Sequence, residues 1–251
     1  MSAVDQALLF VTTFVAGLLN VTVGGGGLLQ IPVLMLLLPR TPVAVLVGTV
    51  KLLGFPGLAA ASATYVRKLE PAWPLILRAA LAEIPFAIAG ARIATLLNPA
   101  IARPIVLAVL TIMAAYVLFR PHFGEGAVRI PRLTGPTPFI IGAALGLYEG
   151  FLGSGSGTIL IVLFVGVSGL TLVGASVASA LVTLAGVAAA MITFLFAGSV
   201  LVGLALKMMV FNVAGALIGA RLVMLKNNVL LRRLLGTALV LLIARLVWDM
   251  M

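Results

Sequence analysis

Apolar positions along this chain come in long unbroken runs, not in the alternation of a half-buried strand or the narrow stripe of a soluble helix. Eight runs stand out, at roughly 7–38, 43–66, 73–97, 101–119, 138–168, 170–198, 199–225 and 229–248. Each predicts a buried or membrane-spanning helix. Pro39, Pro42, Pro71, Pro74, Pro99 and Pro104 stand at or near segment ends in the first half. The one long polar connection, Arg120 to Pro138, holds His122, Glu125, Arg129, Arg132 and four prolines. The predicted organisation is a four-segment repeat over 1–119, a linker over 120–137 and a second four-segment repeat over 138–251.

Two of the runs are interrupted by glycine at matching places. The first interruption is Gly24-Gly25-Gly26-Gly27, with Asn20 before it and Gln30 and Pro32 after it. The second is Gly153-Ser154-Gly155-Ser156-Gly157, with Glu149 before it and Thr158 after it. An offset of 129 positions sets Gly146 on Gly17, Glu149 on Asn20, Gly153 on Gly24 and Gly155 on Gly26. A glycine in a helix interior costs about 1 kcal/mol relative to alanine, so four in succession unwind it. Unwound backbone at membrane depth survives only where protein buries it or a watery cavity meets it. Paired breaks at corresponding points of two repeats therefore point to a transporter's binding site.

The same offset sets Lys207 on Arg78, Gly219-Ala220-Arg221 on Gly90-Ala91-Arg92, Asn227 on Asn98 and Arg232 on Arg103. An internal duplication follows. Its sense depends on the first segment of each half, because 7–38 is roughly 48 Å long as a helix and overruns a bilayer core of about 30 Å. If every segment crosses, Lys and Arg outside the membrane divide eight to seven. If segments one and five dip in and return, ten of them, including Arg67, Lys68, Arg78, Arg221 and those of the linker, share one side against five. The positive-inside rule prefers the second arrangement, with three crossings per half and inverted repeats. It puts Arg67, Lys68 and the linker in the cytoplasm and both termini outside.

Composition fixes the class. Of 251 residues, 63% are hydrophobic and 9% charged, with a mean hydropathy of +1.30. This is an all-α polytopic membrane protein, not a soluble domain. Its net charge of +10 is read as basic loops at lipid headgroups, not as a nucleic-acid surface. With no cysteine and one histidine, in the linker, thiol chemistry and a histidine metal cluster are excluded. No basic residue precedes Arg40, so the first segment lacks the start of a cleaved signal peptide and is expected to be retained.

Charged and amide groups inside apolar runs are the candidates for chemistry, each charge costing about 2.5–3.5 kcal/mol on insertion scales. They are Lys51, Glu83 and Glu149, with Asn20 and Asn212. Under the offset Glu83 falls on Asn212 and Glu149 on Asn20, so each half keeps one carboxylate and one amide at the same two places. Glu83 and Glu149 are candidates for proton coupling, against the plainer reading that they pair with Lys51 or an arginine to fix packing. Arg92 and Arg221 either attract an anion at the mouth of the pathway or, as the favoured reading, snorkel to the interface. Gly142, Gly146, Gly150, Gly215 and Gly219 have the spacing of close helix packing. A nucleotide-loop reading of Gly153–Gly157 fails, since no lysine follows and no strand precedes. Backbone N–H groups at Leu28 and Thr158, which open the half-helices after each break, favour an anion over a cation.

On Gly17, Gly24–Gly27, Leu28, Pro32, Ala44 and Gly48-Thr49, and then Gly146, Gly153, Gly155, Gly157, Ala175 and Ser176, the chain resembles the sulfite exporter TauE/SafE family of membrane transporters. The resemblance covers nearly the whole chain. It implies a bacterial inner-membrane carrier of small sulfur-containing anions (sulfite, sulfonate or sulfoacetate type), often exported. The second half departs from the pattern: serines replace motif glycines, Ile161 stands for the proline, and the glycine-threonine pair is missing. Those departures bear on the substrate more than on the fold.

The reading is a secondary transporter of such anions, with proton coupling as an option. Its substrate site is expected among Asn20, Gly24, Gly25, Gly26, Gly27, Gln30, Thr49, Lys51, Glu149, Gly153, Ser154, Gly155, Ser156, Gly157, Thr158 and Asn212. The expected partners are the anion and the bilayer, with a homodimer left open, and no cofactor or metal. An anion channel, a carboxylate carrier and a purely structural subunit are the alternatives; no nucleophile and base stand together to support an enzyme. Gly26→Ala and Gly155→Ala are expected to weaken binding while restoring helix propensity of about 1 kcal/mol each.

Overall fold

A computed structural model describes residues 3–119 and 135–224. These form α1 (Ala3–Val23), α2 (Gly26–Leu37), α3 (Val43–Lys68), α4 (Trp73–Leu96), α5 (Pro99–Phe119), α6 (Thr137–Phe151), α7 (Ser156–Gly166), α8 (Leu172–Phe196) and α9 (Val202–Met224). Most of the linker, with His122, Glu125, Arg129 and Arg132, lies outside the described residues, as do Asn227 and the 229–248 segment with Arg232 and Arg233. Seven of the eight apolar runs fall on described helices, the two glycine-broken runs as pairs of helices.

Both breaks occur where the chain enters the left-handed region that only glycine adopts cheaply. Gly24 has φ 74°, Gly153 φ 73° and Gly155 φ 85°. After each break the chain folds back instead of continuing across. Gln30 of α2 donates to Thr13 of α1 at 3.2 Å, and Gly26 lies against Ala16, so α2 descends beside α1 as α1 rises. Ile141 and Leu145 of α6 share a core with Leu160 and Phe164 of α7, the same antiparallel hairpin in the second half.

Glycines set the register between halves. Gly142, Gly146 and Gly150 of α6 lie on the backbone of Ala79, Glu83 and Ala87 of α4. Both series advance by four, so the two helices run parallel and touch along their small faces. Gly215 and Gly219 of α9 meet Phe14 and Leu18 of α1 in the same way. Several contacts recur with the halves exchanged. Gly17 rests on Asn212 as Gly146 rests on Glu83, Gly219 meets Leu18 as Gly90 meets Leu147, and Gly57 faces the Asn212 side chain as Gly186 faces that of Glu83. The helices α3 and α8 start 129 positions apart, and so do α4 and α9.

Among the described residues, α1, α3, α4, α8 and α9 are long and apolar enough to cross a membrane. Their outer faces carry exposed Leu81 (67%) and Val210 (70%), which suits hydrocarbon and not water. The end of α2 is tied to α5, where the Arg103 guanidinium donates to Pro39 O at 2.6 Å and Met35 O at 3.2 Å. A cation there satisfies carbonyls that a helix C-terminus leaves without partners.

Candidate functional site

The two hairpin tips touch. Gly24 lies against the backbone of Gly157 and Thr158, and Gly27 lies against Ser154. A Cβ added at Gly157 would stand 2.7 Å from the Gly24 Cα, and one at Gly27 would stand 2.7 Å from the Ser154 Oγ. Only backbone without side chains allows two helix ends this close. Both α2 and α7 thus begin at the centre of the molecule, and their first N–H groups carry partial positive charge toward the same region.

Beside the meeting point is a cavity of about 40 Å³, lined by Asn20, Gly26, Gly27, Gln30, Lys51, Glu149, Gly153, Ser154 and Asn212 together with Gly54 and Thr183. One water needs about 10–15 Å³, so the space holds a few waters. A second cavity of about 10 Å³ shares Asn20 and Thr183 with the first and adds Gly24, Gly157, Ser176 and Ser179. Exchanging the halves carries Asn20, Gly24, Ser179, Ala180 and Thr183 of the smaller cavity onto Glu149, Gly153, Val50, Lys51 and Gly54 of the larger one. The two are counterparts, one charged and one lined by hydroxyl and amide groups.

At the centre of the larger cavity, Lys51 of α3 pairs with Glu149 of α6. The residues are 4% and 2% exposed. The other Glu149 oxygen accepts from the Ser156 hydroxyl at the start of α7. Gly153 is required twice here, by its positive φ and because any Cβ would run into the Lys51 ammonium. Tyr148 donates to Ser154 O at 2.5 Å and holds the turn. The Ser154 and Thr183 hydroxyls are buried and have no hydrogen-bond partner among the described residues. Both face a cavity that also holds an ammonium, an arrangement with donors to spare for an oxyanion.

Some sequence candidates lie elsewhere. Thr49 lines neither cavity; it donates to Val45 O at 2.6 Å and accepts from Leu201 N at 2.9 Å, holding the start of α9. Gly25 caps α2 and Gly155 caps α7. Thr158 joins the tip contact through its backbone without lining either cavity. Glu83 is fully buried and lines neither cavity; its carboxylate lies against Gly186 of α8, and neither oxygen has a hydrogen-bond partner among the described residues. Arg92 and Arg221 are exposed and line neither cavity. Sequence reasoning missed Gly54, Thr183 and Ser179. The first two are 129 positions apart and were findable as a pair, whereas Ser179 carried no signal. Among the described residues no group of His, Cys, Asp and Glu has the arrangement of a metal site.

Comparison with known proteins agrees with this architecture. The family model described as Sulfite exporter TauE/SafE matches residues 9–246. A "Probable membrane transporter protein ORF9" of Sinorhizobium sp is 30% identical over 97% of this chain and 92% of its own. A "Probable membrane transporter protein" of Haemophilus influenzae is 30% identical over 97% and 94%. The "Probable membrane transporter protein YfcA" of Escherichia coli K12 is 28% identical over 96% and 89%. No solved structure matches. With the family model covering nearly the whole chain and several helices fit to cross a bilayer, this multi-pass membrane transporter belongs to the sulfite exporter TauE/SafE family.

Proposed function

We propose that the chain carries small sulfur-containing anions of the sulfite, sulfonate or sulfoacetate type across the bacterial inner membrane, outward, with proton coupling. The observation that carries this reading is the convergence of Lys51, two unpartnered hydroxyls and the N-terminus of α2 on one cavity, with the N-terminus of α7 against it at the hairpin tips. A cation site would need more carboxylates and fewer donors. The family supplies the sulfur-anion class. The few-water volume supports a carrier that alternates between states over an open channel.

The transport geometry is that of inverted repeats, with one hairpin dipping in from each face. Two things support it. Each broken run folds back as a hairpin, and α3 and α8 advance in opposite senses, with Gly48 beside Phe194 and Gly54 sharing a cavity with Thr183. Helix α9 runs beside α3, so Arg221 and the Arg67–Lys68 pair sit at like ends, which the positive-inside rule assigns to the cytoplasm. Cysteines introduced at Ser2 and Gly124 are expected to label from opposite sides of the membrane. Labelling of both from outside rejects the inverted arrangement.

The activity itself is tested in proteoliposomes. Sulfite and sulfoacetate fluxes are expected to saturate and to exceed those of acetate and malonate. A non-saturating current means a channel, and preferred carboxylate flux means a carrier of another class.

A further inference from the structure

We infer that Glu149 is an internal competitor for the transported anion: its carboxylate occupies the anion's place on Lys51 and leaves it by taking up a proton. The inference rests on the anion-carrier reading and adds how binding and coupling are joined at the same residues.

The geometry is that of an occupied anion site. One Glu149 oxygen meets the Lys51 ammonium and the other accepts from Ser156 in the first turn of α7. An ammonium and a hydroxyl at the start of a helix are partners an incoming oxyanion would use. The carboxylate reaches them from the cavity wall, on the last turn of α6, beside Gly153.

Charge balance then dictates the exchange. With Lys51 and Glu149 both ionised the pair is neutral. A monovalent anion added to it would leave one uncompensated negative charge in a buried space, which is expensive. Glu149 is buried, so its own charge stays in that space. A proton taken from water onto Glu149 restores neutrality, frees Lys51 for the anion and leaves an O–H able to donate. One proton therefore travels with each monovalent anion, and that step moves no net charge.

The surrounding groups leave few alternatives. Among the described residues, α3 presents Lys51 to Glu149, α4 presents Glu83, and α6 itself contributes Tyr148; α1, α2, α7 and α8 offer no titratable group at the cavity. Glu83 is the one other carboxylate that could accept the proton, and it separates the outcomes.

The test uses methanesulfonate, whose charge is fixed across the working pH range, with purified full-length protein. On mixing in weak buffer, the parent protein is expected to take up about one proton per anion bound. Its affinity is expected to fall as the pH rises, with a limiting slope of about tenfold per pH unit for a one-proton linkage. Glu149→Gln should bind at least about tenfold more tightly at pH 8, with neither the slope nor the proton uptake. Glu83→Gln should keep both. Binding by the parent without proton uptake overturns the inference, and so does loss of the slope in Glu83→Gln instead of Glu149→Gln. The mixing experiment needs no variant, so a poorly folded Glu149→Gln does not shield the proposal. Absence of binding by the parent and by Glu149→Gln, with methanesulfonate and with sulfite, overturns the carrier reading itself.

Discussion

Gly24→Ala is expected to remove most folded protein, whereas Gly54→Ala, within the same site, is expected to leave it at least as stable as the parent. Gly24 has φ 74°, where a Cβ costs about 1–2 kcal/mol. That Cβ would also enter the backbone of Gly157 in the opposite hairpin, and overpacking of this kind costs about 1–3 kcal/mol more. Gly157→Ala separates the two effects, since Gly157 lies within the helical run of α7 and its Cβ meets Gly24 at 2.7 Å; only the packing cost of about 1–3 kcal/mol applies. At Gly54 an added Cβ meets nothing within 4 Å. Alanine there should gain up to about 1 kcal/mol from helix propensity while its methyl intrudes on the cavity and weakens anion binding. Thermal unfolding in detergent, followed by anion titration, checks the ranking. A Gly24→Ala protein that melts with the parent would mean that the tips do not meet.

Helix propensity alone predicts that Gly26→Ala and Gly155→Ala stabilise the protein, and the structure corrects this. A Cβ at Gly26 would enter Ala16 O and stand 2.8 Å from the Asn20 Cβ, while Gly155 holds φ 85°. Both substitutions are now expected to destabilise. Ser154→Ala removes a buried hydroxyl without a partner among the described residues. It should cost binding on the order of 1 kcal/mol and stability nothing.

Lys51→Met is expected to abolish anion binding and to destabilise the protein by about 3–5 kcal/mol, the usual result of stranding one member of a buried ion pair. Glu149 would keep only the Ser156 hydroxyl as partner. The double variant Lys51→Met/Glu149→Gln should recover to within about 1 kcal/mol of the parent, because a buried pair replaced by neutral groups is close to neutral in stability. It should still bind no anion. Recovered stability without recovered binding identifies the ammonium as a ligand and not only as a structural charge. A Lys51→Met protein that transports normally would place the anion elsewhere.

Sequence alone determined the class, the helices, the two breaks and the offset of 129 that relates them. These are local matters: apolar runs long enough for a bilayer, glycines that helices do not tolerate, and charges too costly to keep in hydrocarbon without a purpose. It also assembled Asn20, Lys51, Glu149, Ser154 and Asn212 as candidates, which the structure brings to one cavity. Only the tertiary structure decided that the broken runs fold back and that Gly24 meets Gly157. It decided, too, that Lys51 pairs with Glu149 while the carboxylate of Glu83, the other candidate for proton coupling, lies against Gly186 of α8. The same packing left Thr49 holding the α8–α9 connection and brought Thr183 into the cavity. Which face of a helix a carboxylate presents, and to whom, depends on close backbone approach at small residues such as Gly146 and Gly150, whose partners lie more than sixty positions earlier in the chain. Periodicity registers that such a residue is small; it carries no record of the helix that will lie against it.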